Sequence, residues 1–149
     1  MESPSGLSFF TLNVYCPLSL MKAFPTYEQE LAWFIGIYEG EGSLGARRIK
    51  RTIKDKLYIN GELYLTIKMT DEDTIARVAR FLGNSYHPCD QKAVSENPNK
   101  KPVWRVRKNG GPNGKLKDLL EEMRPYLSER RREQLDTKIK LAIEHANSK

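Results

Sequence analysis

One segment constrains the fold more than any other: a predicted helix that carries small residues along one side and ends in two acids. Thr26 can cap its start, and apolar residues continue as far as Tyr38. Ala32, Gly36 and Gly40 follow at intervals of four residues and therefore share one helical stripe. Glycine inside a helix costs about 1 kcal/mol relative to alanine. The close approach of a second helix, from another copy of the chain or from the same chain, would compensate for that cost.

The rest of the chain alternates between strand and helix patterns. Strand patterns cover 43–54, 57–69 and 103–107, with a weaker strand between Asn84 and Ala93. Helices are predicted from Asp71 to Gly83, over 116–123 and after Ser128, which is predicted to cap the last helix. Asn60-Gly61 could form a turn or a bulge. Strands paired between helices predict an α+β domain over 26–149, with an antiparallel sheet backed by helices and a C-terminal helix, after an N-terminal extension of 1–25.

Positive charge is concentrated in the predicted sheet. The 149 residues carry a net charge of +6, yet residues 1–46 hold five acids and one base. An outward sheet face would gather cationic, hydroxyl and aromatic side chains: Arg47, Arg51, Tyr64, Thr66, Lys68, Arg105 and Arg107. A two-stranded ribbon with such groups fits the major groove of DNA. We favour a nucleic-acid partner over an ordinary solvent-exposed face.

Several classes of protein are disfavoured by what the sequence contains. Two cysteines and two histidines provide no zinc-binding pattern. No apolar run reaches the roughly 20 residues that span a bilayer, and the first five residues lack the positive charge of a signal peptide. We therefore expect an intracellular protein, neither secreted nor bound to a membrane.

The acidic end of the first helix indicates a chemical role. If two copies pair at Gly40, their Glu41 carboxylates come close together and repel each other. Hard divalent cations such as Mg²⁺ relieve that repulsion by accepting oxygen ligands. A carboxylate–Mg²⁺ site beside a phosphate-binding surface favours phosphodiester hydrolysis. The alternative is that Glu41 is an ordinary solvated surface residue.

The segment Phe34–Gly42 resembles the nine-residue motif of the LAGLIDADG homing endonucleases. The resemblance extends over roughly residues 26–146 and includes 65–71 and 125–130. It implies an αββαββα fold with a saddle-shaped antiparallel sheet. One copy of the motif in a short chain implies a homodimer, with Ala32, Gly36 and Gly40 at its interface.

The resemblance also implies a set of functional residues. Glu41 would be the catalytic acid and would bind Mg²⁺, or another divalent cation such as Mn²⁺ or Ca²⁺, together with the backbone carbonyl of Gly40. Arg130 would lie near the scissile phosphates, and Asp71 would organise water. The strand residues named above would contact bases or phosphates of double-stranded DNA.

The function implied is a site-specific, intron-encoded DNA endonuclease that cleaves both strands of a long pseudo-palindromic target as a homodimer. Two alternatives remain open: an RNA maturase that assists intron splicing, and a DNA-binding regulator without catalysis. An organelle or a prokaryotic cytoplasm is the expected compartment.

Overall fold

The computed structural model describes residues 24–147, so the predicted extension of residues 1–25 lies almost entirely outside the described residues. The predicted α+β class is confirmed. The elements in chain order are α1 (Tyr27–Glu41), β1 (Gly42–Ile53), β2 (Lys56–Met69), α2 (Glu72–Leu82), β3 (Tyr86–Cys89), α3 (Gln91–Glu96), β4 (Val103–Gly110), α4 (Lys115–Met123), a 3-10 turn (Arg124–Tyr126) and α5 (Glu129–Asn147).

The four strands form one sheet in the order β1-β2-β4-β3. β1 pairs antiparallel with β2, and β3 pairs antiparallel with β4, as the paired strand patterns predicted. The short helix α3 between β3 and β4 was not predicted. Among the described residues, no helix combines the length and the apolar character that a membrane span requires.

The hairpin of β1 and β2 corrects one prediction. Its turn lies at Lys54 and Asp55, whose φ angles of 50° and 64° are those of a tight two-residue hairpin turn. The turn or bulge predicted at Asn60-Gly61 is wrong, because β2 continues through both residues and Gly61 pairs with Arg48. The glycine is there for a different reason: a side chain on Gly61 would overlap the backbone carbonyl of Ala142 in α5.

The described residues divide into two compact units. One unit contains 24–34 and Lys68–Val106. Its core includes the apolar stripe of α2, formed by Ile75, Val78 and Leu82. Gly83 ends α2 in the left-handed conformation, with φ at 70°, as predicted.

The second unit contains Ile35–Ile67 and 107–147. Leu63, Leu65 and Ile67 are fully buried on one face of β2, which confirms the predicted alternation. α5 packs against β1 and buries Leu135 and Ala142. This unit contains the end of α1 and most of the candidate functional residues.

Candidate functional site

Glu41 is the last residue of α1, and Gly42 begins β1 directly after it. Its side chain is exposed and makes no hydrogen bond or ion pair with any of residues 24–147. Gly40, beside it, is exposed as well. The acid that the motif assigns to metal binding is therefore an accessible carboxylate at a helix-to-strand junction.

Glu39, the other acid of the motif, has a different environment. Its carboxylate accepts a hydrogen bond of 2.5 Å from the backbone N–H of Ser128 and one of 3.0 Å from the Ser128 hydroxyl. Ser128 Oγ also accepts a hydrogen bond from the backbone N–H of Arg131, which confirms the predicted N-cap of α5. A carboxylate at this position is favoured by the dipole of the helix that begins there.

Sequence reasoning missed Arg131, a buried residue of α5 that contacts the end of α1. It is 5% exposed, and its Nη2 donates a 3.0 Å hydrogen bond to the backbone carbonyl of Glu39. Its guanidinium lies 4.9 Å from the centre of the Tyr38 ring. Helical spacing was a signal for the burial of Arg131. It precedes Leu135 by four residues and therefore shares the apolar stripe of α5.

Tyr38, whose ring faces the guanidinium of Arg131, is completely buried. Burial raises the pKa of its hydroxyl above the ordinary value of 10.0, and the positive charge of Arg131 opposes part of that rise. The tyrosine therefore stays neutral and supports the guanidinium with the face of its ring.

The structure places the other two predicted catalytic residues as follows. Arg130 is exposed in the first turn of α5, two residues after Ser128. Ser128 forms hydrogen bonds with Glu39. Arg130 follows Ser128 by two residues and Glu41 follows Glu39 by two residues, so both lie near this one contact. Asp71 belongs to the other compact unit, where it precedes α2 and accepts a 2.7 Å hydrogen bond from the Thr74 hydroxyl. Its predicted role with water stays a prediction.

The strand face of the second unit is organised around Tyr64. Its ring centre lies 5.4 Å from the guanidinium of Arg47 and 5.1 Å from that of Arg107. Gly45 pairs with Tyr64 across the hairpin, and a side chain on Gly45 would overlap the tyrosine ring. Three of the predicted DNA-contacting residues are therefore brought together. We call Arg47, Tyr64 and Arg107 the Tyr64 cluster.

Two neighbours hold the arginines of the Tyr64 cluster in place. Glu62 accepts a 2.7 Å hydrogen bond from Arg47 Nε and lies 2.5 Å from Arg47 Nη2. Thr66 accepts a 3.1 Å hydrogen bond from Arg107 Nε. Thr66 is only 5% exposed, so its position favours orienting Arg107 over contacting DNA directly.

The remaining predicted DNA contacts lie apart from the Tyr64 cluster along the strands. Arg51 is exposed near the hairpin turn and pairs with Tyr58. In the other compact unit, Lys68 is exposed, while Arg105 is half-buried and pairs with His87. Direct contact of these side chains with DNA stays a prediction.

The small-residue stripe of α1 is open. Ala32, Gly36 and Gly40 are all exposed, and a side-chain carbon added at either glycine would meet no atom within 4 Å in the described part of the chain. Within residues 24–147, no second helix of the same chain fills the stripe. The compensation that the two helical glycines require is therefore not found there.

The acidic side chains described in one chain would provide only some of the ligands of a metal site. Residues 24–147 contain no group of three or more His, Cys, Asp or Glu side chains that could hold a metal ion. Mg²⁺ commonly binds one or two carboxylates and keeps several waters, so an exposed glutamate with a neighbouring carbonyl has suitable chemistry. The donor set fits Mg²⁺ if a second chain contributes a like pair.

Comparison with known proteins identifies the fold. No protein-family model matches the chain, and no curated protein matches it in sequence. Its structure resembles that of the group I intron-encoded homing endonuclease I-CeuI, solved in complex with DNA, with a TM-score of 0.50 and 15% identity over 93% of this chain. The fold is that of the homing endonucleases, as the resemblance in sequence implied.

Two further solved structures match with lower scores. The archaeal intron-encoded homing endonuclease I-Vdi141I, complexed with DNA, has 16% identity over 72% of this chain and a TM-score of 0.45. The LAGLIDADG homing endonuclease I-LtrWI, bound to target DNA, has 16% identity over 63% and a TM-score of 0.36. The alignments span 67% of I-CeuI, 63% of I-Vdi141I and 28% of I-LtrWI.

Proposed function

We propose that the chain is a site-specific endonuclease that cleaves both strands of a long pseudo-palindromic DNA target as a homodimer, with a divalent cation. One observation carries the proposal: of the two motif acids, Glu39 is engaged within the chain and Glu41 is exposed and unengaged. Glu41 also stands directly before the strand that contributes Arg47 to the Tyr64 cluster. The homing-endonuclease fold supports the same reading.

The cation would be held by the Glu41 carboxylate and the Gly40 carbonyl of each chain. Mg²⁺ is the natural candidate, with Mn²⁺ or Ca²⁺ as substitutes, because all three prefer oxygen ligands. Bound there, the cation would supply Lewis-acid polarisation of the scissile phosphate and acidify a water for hydrolysis.

The remaining residues would bind and orient the DNA. Arg130 is exposed beside the α1–α5 contact, where its charge would offset negative charge that develops on the phosphate. The Tyr64 cluster and Arg51 offer guanidinium groups, which donate to guanine edges in the major groove and to phosphates. The proteins whose structures resemble this chain were solved in complex with DNA.

The homodimer would form along the open stripe of α1. Gly36 and Gly40 leave the helix backbone exposed, so a second α1 could approach closely. A two-fold contact between identical stripes would bring two Glu41 carboxylates to the same end of the interface. A like pair of donors is what the acidic site of one chain lacks.

The test compares Glu41→Gln with Glu28→Gln, a matched change at the exposed opposite end of the same helix. The DNA on either side of the element that encodes the chain, joined without interruption, serves as substrate. We expect Mg²⁺-dependent cleavage of both strands, reduced about 1,000-fold in Glu41→Gln with DNA affinity retained, and unchanged in Glu28→Gln. Full cleavage by Glu41→Gln would overturn the assignment.

The wild-type result separates the alternatives. Binding of the joined DNA without a cut would favour a regulator that lacks catalysis. If the wild-type chain neither binds nor cuts the joined DNA, the RNA of the encoding element becomes the candidate partner. That result would favour a maturase.

A further inference from the structure

The contact between α1 and α5 is reciprocal. Glu39 of α1 accepts hydrogen bonds at the beginning of α5, and Arg131 of α5 donates to a carbonyl in the last turn of α1. The first contact satisfies one N–H group that a helix start leaves unpaired, that of Ser128, and the second satisfies a carbonyl that a helix end leaves unpaired. Both charges also agree with the helix dipoles, acid at an N-terminus and base at a C-terminus.

We propose that Arg131, acting with Glu39 and Ser128, is the positioning residue that fixes the last turn of α1 and thereby the Glu41 carboxylate. The catalytic part of this inference rests on the proposed function. Arg131 is nearly buried and forms no hydrogen bond or ion pair with Glu41, so its effect passes through Glu39.

The geometry gives Arg131 little freedom to do anything else. It is 5% exposed, its Nη1 donates to Gln134 Oε1 at 2.9 Å, and its Nε lies 3.8 Å from Glu39 Oε1. The ring of Tyr38, which is completely buried, supports the guanidinium from one side. A planar group hydrogen-bonded at two of its nitrogens and supported on one face can maintain a single orientation of the helix end.

The last turn of α1 needs such support because the rest of it is weakly determined. Gly40 has no side chain and meets no described atom on the open stripe, and Glu41 forms no hydrogen bond or ion pair with any of residues 24–147. Within the described part of the chain, this turn is anchored by the buried ring of Tyr38 and by the hydrogen bonds of Glu39. A shift of the carboxylate by about 1 Å is enough to cost roughly 100-fold in rate, so fixing this turn matters for chemistry.

The decisive variants are Arg131→Met, which keeps the length of the side chain and removes its donors, and Arg132→Met, the same change at an exposed neighbour. Amide hydrogen exchange is measured on the free proteins, with α2 as an internal reference. We expect residues 38–41 to exchange at least roughly 10-fold faster in Arg131→Met, with α2 and the Arg132→Met protein unchanged. Equal exchange of residues 38–41 in both variants would overturn the proposal.

Conservative and coupled variants keep the test valid if Arg131→Met does not fold. Arg131→Lys can still donate to the Glu39 carbonyl and should restore part of the protection. Glu39→Gln keeps an acceptor for Ser128 and should speed exchange less than Arg131→Met does. If the groups act as one unit, Glu39→Gln combined with Arg131→Lys should add less than the sum of the single effects, whereas full additivity would contradict the inference.

A cleavage assay with the joined flanking DNA adds the functional readout. We expect Arg131→Met to lower the single-turnover rate 10- to 100-fold, as loss of outer-shell support for a metal ligand typically does, with DNA affinity within about 3-fold of wild type. An equal loss of affinity and rate would show a purely structural role. If the wild-type protein does not cut, the proposed function fails, and the exchange experiment still decides the role of Arg131.

Discussion

The glycines of the β1–β2 hairpin and the glycines of α1 have opposite surroundings. Gly45 and Gly61 are buried, and a side chain at either would overlap a neighbour within the chain. Gly36 and Gly40 are exposed, and a side chain at either would meet nothing within 4 Å in the described residues. Contacts within the chain explain the hairpin glycines. The α1 glycines destabilise their helix, and no contact among the described residues compensates for that.

If the proposed homodimer forms, this difference separates packing inside the chain from packing between chains. At Gly61 the missing side chain lets α5 approach β2, and at Gly45 it makes room for the ring of the Tyr64 cluster. At Gly36 and Gly40 it leaves a smooth stripe that a second α1 would match. Substituting each kind of glycine therefore tests whether the two regions serve different partners.

The largest effect is expected at Gly61. In Gly61→Ala the new side chain would overlap the Ala142 carbonyl, which is backbone and cannot rotate away. α5 must shift, and the free energy of unfolding should fall by about 3 kcal/mol, measured by urea denaturation. Gly111→Ala is the matched control, because an added Cβ there would meet no atom of residues 24–147 within 4 Å. Equal stability of the two variants would remove the packing explanation for Gly61.

A smaller loss is expected at Gly45, where the obstacle is a side chain. In Gly45→Ala the Tyr64 ring must swing away from Arg47 and Arg107. The free energy of unfolding should fall by about 2 kcal/mol, and DNA affinity should fall with it as the Tyr64 cluster loses its arrangement. In a Tyr64→Ala background the same change should cost little. If it costs as much there as in the wild type, strain in the strand rather than the ring is responsible.

Sequence reasoning succeeded where the pattern was local. Strand alternation located the buried face of β2, Ser128 was identified as a cap, and Gly83 was identified as a helix end, each from a few neighbouring residues. It failed at Gly61 because an Asn-Gly pair signals a turn locally, while the reason for this glycine lies in α5, far along the chain.

The candidate site shows the same division between local and distant signals. The motif marked Glu41, and the structure leaves Glu41 exposed at the end of α1. The resemblance marked Arg130 and gave no reason to consider Arg131, and charged residues are seldom buried. Its burial depends on a backbone carbonyl at Glu39, and no local pattern in α5 reveals that partner.

The smallest change in stability is expected in α1, and it has the opposite sign. Gly36→Leu replaces a helical glycine with a good helix former at a position where an added Cβ meets no described atom within 4 Å, so the isolated chain should gain about 1 kcal/mol in free energy of unfolding. The same side chain would block the close approach of a second α1. Sedimentation should therefore show a dimer for the wild type and a monomer for Gly36→Leu, which should also lose cleavage.

Lys140→Leu, an exposed change of similar character on α5, controls for added surface hydrophobicity and should leave the dimer intact. A Gly36→Leu protein that stays dimeric would show that the stripe is not the interface. A loss of stability in dilute, monomeric Gly36→Leu would show instead that the stripe is covered within the chain. Either result would remove a second α1 as the explanation for Gly36 and Gly40, and the second would also make them like the hairpin glycines, which are covered within the chain.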